Sequence, residues 1–239
     1  LRISPASVDF CRYGTEVVMR VGVGNPTRMV RKPVQDRSKA RVRKILKATE
    51  EIILEEGWEA ATAHAIAKRA SVPPAGVYHF FPDRFTIYGT LLERYFADFR
   101  DEVMDLVAKR DIKTWQDLMN GVVDGFAKFF SENTVARTLA LGGEDTHNMR
   151  WSSTHQSDGM ARFIKRLYED RFDVSGISDF EDKLRMVVTL ANAGFAHAAL
   201  EGDPLSKKIV EETRAAMLSY MNSWMPEKLE RLPEPLELD

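Results

Sequence analysis

Between Thr62 and Arg84 the chain reads TAHAIAKRASVPPAGVYHFFPDR, and its side chains are suited to holding a polyanion more than to breaking a bond. The hydroxyl of Thr62, the imidazoles of His64 and His79, the phenol of Tyr78 and the guanidinium of Arg84 can all donate to phosphate oxygens or base edges. Ala75 and Gly76 are small enough for the backbone to approach a surface closely. Signatures of covalent chemistry are missing: there is no Gly-x-Ser-x-Gly elbow, no phosphate loop and no His-Glu-x-x-His. Gly22-Val23-Gly24 lacks the third glycine and the following helix of a dinucleotide loop. The sole cysteine, Cys11, excludes an intrachain disulfide and a thiolate zinc cluster. His147 and His155, eight residues apart, share a helix face only loosely, so neither a metal nor a cofactor is expected and the chain does not read as an enzyme.

These groups need rigid elements to aim them, and the hydrophobic period supplies helices. Val42, Ile45, Leu46, Thr49, Ile52 and Ile53 fall on one face of a helix that starts near Gln35 and stops at Gly57. Thr62 can cap a short helix running to about Ala70, with Ile66 and Ala67 inward. Ser71-Val72-Pro73-Pro74 is a tight turn, and proline at a first helical position suits a third short helix from Pro74 to about Phe81. Val77 and Phe81, four apart, then face the core, which leaves Tyr78 and His79 pointing outward. Asp83 can cap a long fourth helix carrying Tyr88, Leu92, Tyr95, Phe96, Phe99, Val103 and Leu106. Two short helices joined by a tight turn and braced by a longer one meet the physical requirement for offering one helix to the DNA major groove, which is about 12 Å wide.

The remainder is also helical. One stripe runs through Ile112, Trp115, Met119, Val122, Phe126, Phe129 and Phe130, and another through Met160, Phe163, Ile164 and Leu167. Ser178 and Glu181 form a capping-box pattern ahead of Leu184, Val187, Val188, Ala191, Phe195 and Ala198. Gly202-Asp203-Pro204 ends that helix, and a last one carries Ile209, Thr213, Ala216, Met217, Tyr220 and Trp224. Sheet content should be near zero, so the expected class is all-α: a three-helix, helix-turn-helix DNA-binding domain over residues 31–84 and a helical bundle over 85–239. Residues 1–30, broken by Pro5, Gly14, Gly22, Gly24 and Pro26, read as an irregular leader, either disordered or non-native, with Met19 or Met29 as the natural start.

Charge separates the same regions. The 239 residues carry a net charge of −2, which on its face disfavours a nucleic-acid partner. Residues 28–84 hold 12 basic and 7 acidic side chains, a charge of +5, whereas 85–239 hold 19 and 27, a charge of −8. The basic excess lies mostly in Arg28, Arg31, Lys32, Arg37, Lys39, Arg41, Arg43, Lys44 and Lys47. An acidic body should repel DNA and leave only the basic module attracted to it; the plainer reading of the run is a solvated helix face. The longest weakly polar stretch, Val187 to Leu200, falls short of the ~20 residues that cross a bilayer, and Leu1 to Pro26 lacks a signal-peptide pattern, so a cytoplasmic protein without a membrane partner is expected.

In its N-terminal motifs the sequence resembles the TetR family of bacterial transcriptional regulators. The matching elements are the helix with a basic start, Gly57-Trp58-Glu59-Ala60, Thr62 ahead of Ile66-Ala67-Lys68-Arg69-Ala70, Val72, the Val77-Tyr78-His79-Phe80-Phe81 helix, and Arg84 opening helix 4. The resemblance covers about residues 36–95; beyond that only length and helical character agree. Three departures stand out: Ser71 where the family usually has Gly, Ala63 without the hydroxyl common at the start of helix 2, and Gly76 in place of a common Thr or Ser. The resemblance implies that Thr62 and His64 touch phosphates, that Ala75, Gly76, Tyr78 and His79 form the recognition surface, that Arg84 holds a flanking phosphate, and that Arg41 and Arg43 add backbone contacts. Thr62 as a mere cap and His64 as merely exposed stay open beside that reading.

The resemblance further implies a homodimer on a palindromic DNA operator, released by a small hydrophobic or aromatic effector, with repression as the output. Candidate effector contacts are Phe99, Val103, Trp115, Met119, Val122, Phe126, Met149, Trp151 and Phe163, with His147, His155 or Asn192 as polar partners. Val188, Ala191, Phe195, Ala198, Met217, Tyr220 and Trp224 are the candidates for the dimer interface. A helical ligand-binding or interaction protein of the same fold, without operator binding, is the alternative.

Overall fold

The computed structural model describes residues 18–19, 30–31, 36–142, 150–202 and 204–232. Among them are two two-residue strands, β1 (Val18–Met19) and β2 (Val30–Arg31), paired antiparallel with Val18 opposite Arg31 and Met19 opposite Val30. The segment expected as an irregular leader thus carries a minimal ladder that joins Val18–Met19 within it to Val30–Arg31 at its C-terminal boundary; its other residues lie outside the described ones. Nine helices follow among the described residues: α1 (Asp36–Glu56), α2 (Ala63–Arg69), α3 (Pro74–Phe80), α4 (Arg84–Ala108), α5 (Trp115–Glu132), α6 (Thr134–Leu141), α7 (Arg150–Glu169), α8 (Phe180–Glu201) and α9 (Lys207–Asn222). The class is all-α, with a helix-turn-helix N-terminal unit and a helical C-terminal one. None of the described helices is long and apolar enough to cross a membrane.

The chain divides into two compact units between Thr90 and Leu91, inside α4. In the first unit, α1 buries Ile45, Leu46, Ala48, Ile52 and Ile53, and the buried Thr49 hydroxyl donates to the Ile45 carbonyl at 2.8 Å. Gly57, with φ at +90°, ends the helix. Thr62 caps α2, its hydroxyl oxygen accepting from the Ala65 amide at 3.2 Å, and Ile66 and Ala67 turn inward. The cation at the other end of α2, Arg69, pairs with Glu55 at 2.9 Å and Glu56 at 3.1 Å on α1. Asp83 caps α4 by accepting from the Thr86 amide at 2.9 Å and the Thr86 hydroxyl at 2.7 Å.

In the second unit α5 is the central element, burying Trp115, Leu118, Met119, Val122, Val123, Phe126, Phe129 and Phe130. Its start carries a capping box the hydrophobic stripe did not reveal: the Thr114 side chain accepts from the Asp117 amide, and the Asp117 carboxylate accepts from the Thr114 amide. Phe126 packs 5.4 Å from Phe99 and 4.3 Å from Phe195, centroid to centroid, so α5 joins α4 to α8. The residues after α9 are tied down by the Trp115 indole donating to the Pro226 carbonyl at 3.0 Å and by the bridge Phe172 to Arg231.

One expectation fails locally. The Ser178–Glu181 capping box does not form: Asp179 stands at the N-cap in the left-handed region with φ at 52°, makes no side-chain cap bond, and α8 begins at Phe180. Glu181 instead pairs with Arg185 at 2.8 Å and Lys165 at 3.5 Å, charge partners stronger than the amide it was expected to accept from. The polar stretch after Asp145 is helical from Arg150 onward.

Candidate functional site

On α3 the inward face is Val77 and Phe80, with Phe81 at its C-cap, all buried. Phe80 was not foreseen as core, although its spacing of three from Val77 is a helical one. The opposite face holds Ala75, Tyr78 and His79, all exposed, with Gly76 at its edge; residues three and four apart share a face at about 100° per residue. Tyr78 leaves 56% of its surface in solvent, an unusual position for a large aromatic side chain. The His79 ring sits edge-on to Phe80 at 4.8 Å, which limits where the imidazole can point.

Ahead of this face, Thr62 and His64 are both exposed at the start of α2. Thr62 does cap the helix, but a hydroxyl that accepts from an amide keeps its own O–H for a further acceptor, so the two readings coexist. Arg41 and Arg43 are exposed on α1. Arg84, the first residue of α4, is half-buried: its guanidinium carbon lies 5.6 Å from the Trp58 ring centre and 5.1 Å from that of Phe85, and Nη1 donates to the Glu59 carbonyl at 3.3 Å. One turn on, the buried Tyr88 hydroxyl donates to the carbonyls of Trp58 at 2.7 Å and Ala61 at 3.2 Å. Burial pushes the Tyr88 phenol up to about 12; the Arg84 charge opposes this and Glu59 adds to it.

The effector candidates lie in the second unit. Phe99, Val103, Trp115, Met119, Val122 and Phe126 are buried and Phe163 is half-buried, so all seven are packed core. Met149 and His147 lie outside the described residues, as do the side chains of Trp151 and His155. Val122, Phe126 and Asn192 line an apolar void between α5, α7 and α8 of about 20 Å³. That is room for one water and far below the roughly 300 Å³ at which ligand pockets begin. A wider hollow of about 520 Å³ opens at the junction of α7 and α8, but its lining includes Lys165, Glu181 and Arg185, which pair with one another.

The dimer candidates divide by burial. Val188, Ala191, Phe195, Ala198 and Met217 are buried within the chain itself, and four of them, Val188, Ala191, Phe195 and Met217, line the same small void. Tyr220 and Trp224 are half-buried, stacked edge-on at 6.0 Å, with Trp224 also against Phe180 at 6.0 Å. Apolar periodicity reports the face an element turns to its own core, and here it did so. The outward face of α8 carries Met186, Leu190, Ala193, His197 and Leu200, with Met186 48% and Leu200 78% exposed.

A family model of the bacterial regulatory proteins of the tetR family matches residues 45–87, and a model of the tetracyclin repressor-like C-terminal domain matches residues 113–225, together well over half of the chain. The chain belongs to the TetR family. Solved structures of the same fold include a TetR-family transcriptional regulator from Streptomyces coelicolor, at 19% identity over 77% of this chain and 99% of that one with a TM-score of 0.61. They also include the multidrug binding protein EbrR complexed with imidazole (14% identity, 79% and 93% covered, TM-score 0.59) and the SmeT–triclosan complex (20%, 83% and 100%, 0.52). No curated protein matches the chain in sequence. In this TetR-family chain the matched N-terminal model spans α2, α3 and the residues around Arg84, and the C-terminal model spans α5 to α9.

Proposed function

We propose that this TetR-family chain is a ligand-responsive transcriptional repressor that binds a palindromic operator as a homodimer and leaves it when a small hydrophobic or aromatic effector binds. The observation that carries the reading is the exposed face of α3. Its aromatic and imidazole groups, Tyr78 and His79, stand in solvent on a helix whose other side is anchored by Val77 and Phe80. Thr62, His64, Arg41, Arg43 and Arg84 supply backbone contacts, which set register and affinity, while Ala75, Gly76, Tyr78 and His79 face base edges. Such a surface has few strong hydrogen-bonding groups, so specificity leans on thymine methyls and on DNA shape.

A single three-helix head makes too few contacts for tight binding, and two half-sites read together multiply affinity. The outward face of α8, with Met186, Leu190 and Leu200, supports a second copy as its occupant. For the effector, the small void among α5, α7 and α8 is a closed state. An effector stabilises a form in which these helices part around Val122, Phe126 and Asn192, and through α4, which the two units share in sequence, it shifts the population of heads able to span both half-sites. EbrR and SmeT are seen with imidazole and triclosan, small aromatic molecules; this chemistry suits an aromatic-rich core like the present one.

The test is selection of sites from a random duplex pool with the full chain, followed by mobility shifts at rising salt. Recovery of a two-fold symmetric site bound with a salt-dependent affinity is expected. If only non-selective binding or none is found, the protein is instead a helical ligand-binding or interaction protein of the same fold.

A further inference from the structure

We propose that Trp58 is a positioning residue for operator binding: its indole, with the Phe85 ring and the Glu59 carbonyl, holds the Arg84 guanidinium as a pre-set phosphate clamp at the start of α4. The inference rests on the reading of Arg84 as a backbone contact and adds to it the groups that aim it.

The geometry is specific to a guanidinium. Its planar, weakly hydrated cation stacks on aromatic faces, whereas a lysine ammonium is a compact, strongly hydrated charge on a flexible stem. Arg84 contacts the Trp58 and Phe85 rings at 5.6 and 5.1 Å and spends a single N–H on the Glu59 carbonyl, so among the described residues the rest of its donor fork stays available for a bidentate anion. An unrestrained arginine gives up rotamer entropy when it docks on a phosphate, and a stacked one has given up much of that already. The platform itself is fixed: the Tyr88 hydroxyl ties the carbonyls of Trp58 and Ala61 to α4 one turn beyond Arg84, and Asp83 caps that helix end. Trp58 is half-buried, with the Arg84 guanidinium over its ring and its carbonyl accepting from the Tyr88 hydroxyl.

A double-mutant cycle on the full chain, with affinity for the selected operator read by fluorescence anisotropy over a salt series, tests this. Arg84→Ala should weaken binding about tenfold and lower the salt slope by about one released counterion. Trp58→Leu should weaken it several-fold, and the double variant should bind no worse than Arg84→Ala alone. Trp58→Phe should restore most of the loss, and Arg84→Lys, which keeps the charge, should still bind several-fold more weakly than wild type. Losses that multiply in the double variant, or an Arg84→Lys protein that binds like wild type, would overturn the positioning role while leaving Arg84 as a phosphate contact. An Arg84→Ala protein with unchanged affinity and slope would remove the contact itself and the proposal with it. If Trp58→Leu does not fold, the Trp58→Phe and Arg84→Lys arms still decide.

Discussion

Ser71 adopts φ at 53°, the left-handed region where a β-carbon is unfavourable, in the turn between α2 and α3. Replacing it with glycine, the residue it displaces in the resemblance, should raise head stability by about 0.5–1 kcal/mol without changing operator affinity, read by chemical denaturation. Tyr88 makes a second residue-scale prediction. Its phenol is held neutral by burial, so its folded-state pKa of about 12 lies above the unfolded value near 10. The stabilisation is therefore complete below pH 10 and is lost as pH rises toward 12. Denaturation of Tyr88→Phe across that window should show a weaker pH dependence than wild type, at a cost of about 1–2 kcal/mol at neutral pH for the lost O–H donation that the two carbonyls share. The residues legible in the sequence were those whose chemistry closes within three or four positions: Thr62 capping α2, Asp83 capping α4, and the tight turn at Ser71. Arg84 against Trp58 was not legible, because the two stand 26 positions apart and meet only once the chain between them has folded. Ser178 misled for the converse reason: the motif is local, but Lys165 and Arg185 claim Glu181 from outside it.

At the scale of elements, periodicity located α1 to α5, α8 and α9 because each has one apolar stripe bounded by Gly, Pro or a capping residue. Helix α6 escaped notice because only Asn133 separates its eight residues from α5. The stripe on α8 pointed to the chain's own core, and the packing of α8 on α9 explains why that pair is so close. A β-carbon built on Gly194 would lie 2.1 Å from the Thr213 hydroxyl oxygen and 2.8 Å from its β-carbon, so the contact admits hydrogen alone. Gly194→Ala should destabilise the second unit by about 1–3 kcal/mol, measured as a fall in the denaturation midpoint, and operator affinity should fall with it if α8 and α9 present the dimer face.

For the whole molecule, the net charge of −2 conceals a basic head and an acidic body, an arrangement that, on the proposed function, confines attraction for DNA to the head. Leu200 and Met186, exposed on α8, connect this to assembly: Leu200→Glu combined with Met186→Glu should yield a folded monomer by analytical ultracentrifugation, with operator affinity reduced by about two orders of magnitude or more as the second half-site is lost. The proposed operator reading turns most directly on the exposed phenol of α3. Anisotropy titration of the selected operator and of a scrambled duplex with wild type and Tyr78→Ala, both verified as dimers, separates base reading from general attraction. Tyr78→Ala should lose about tenfold or more on the operator and nothing on the scrambled duplex. Equal affinity of the two proteins for the operator would contradict the assignment of α3 as the recognition helix.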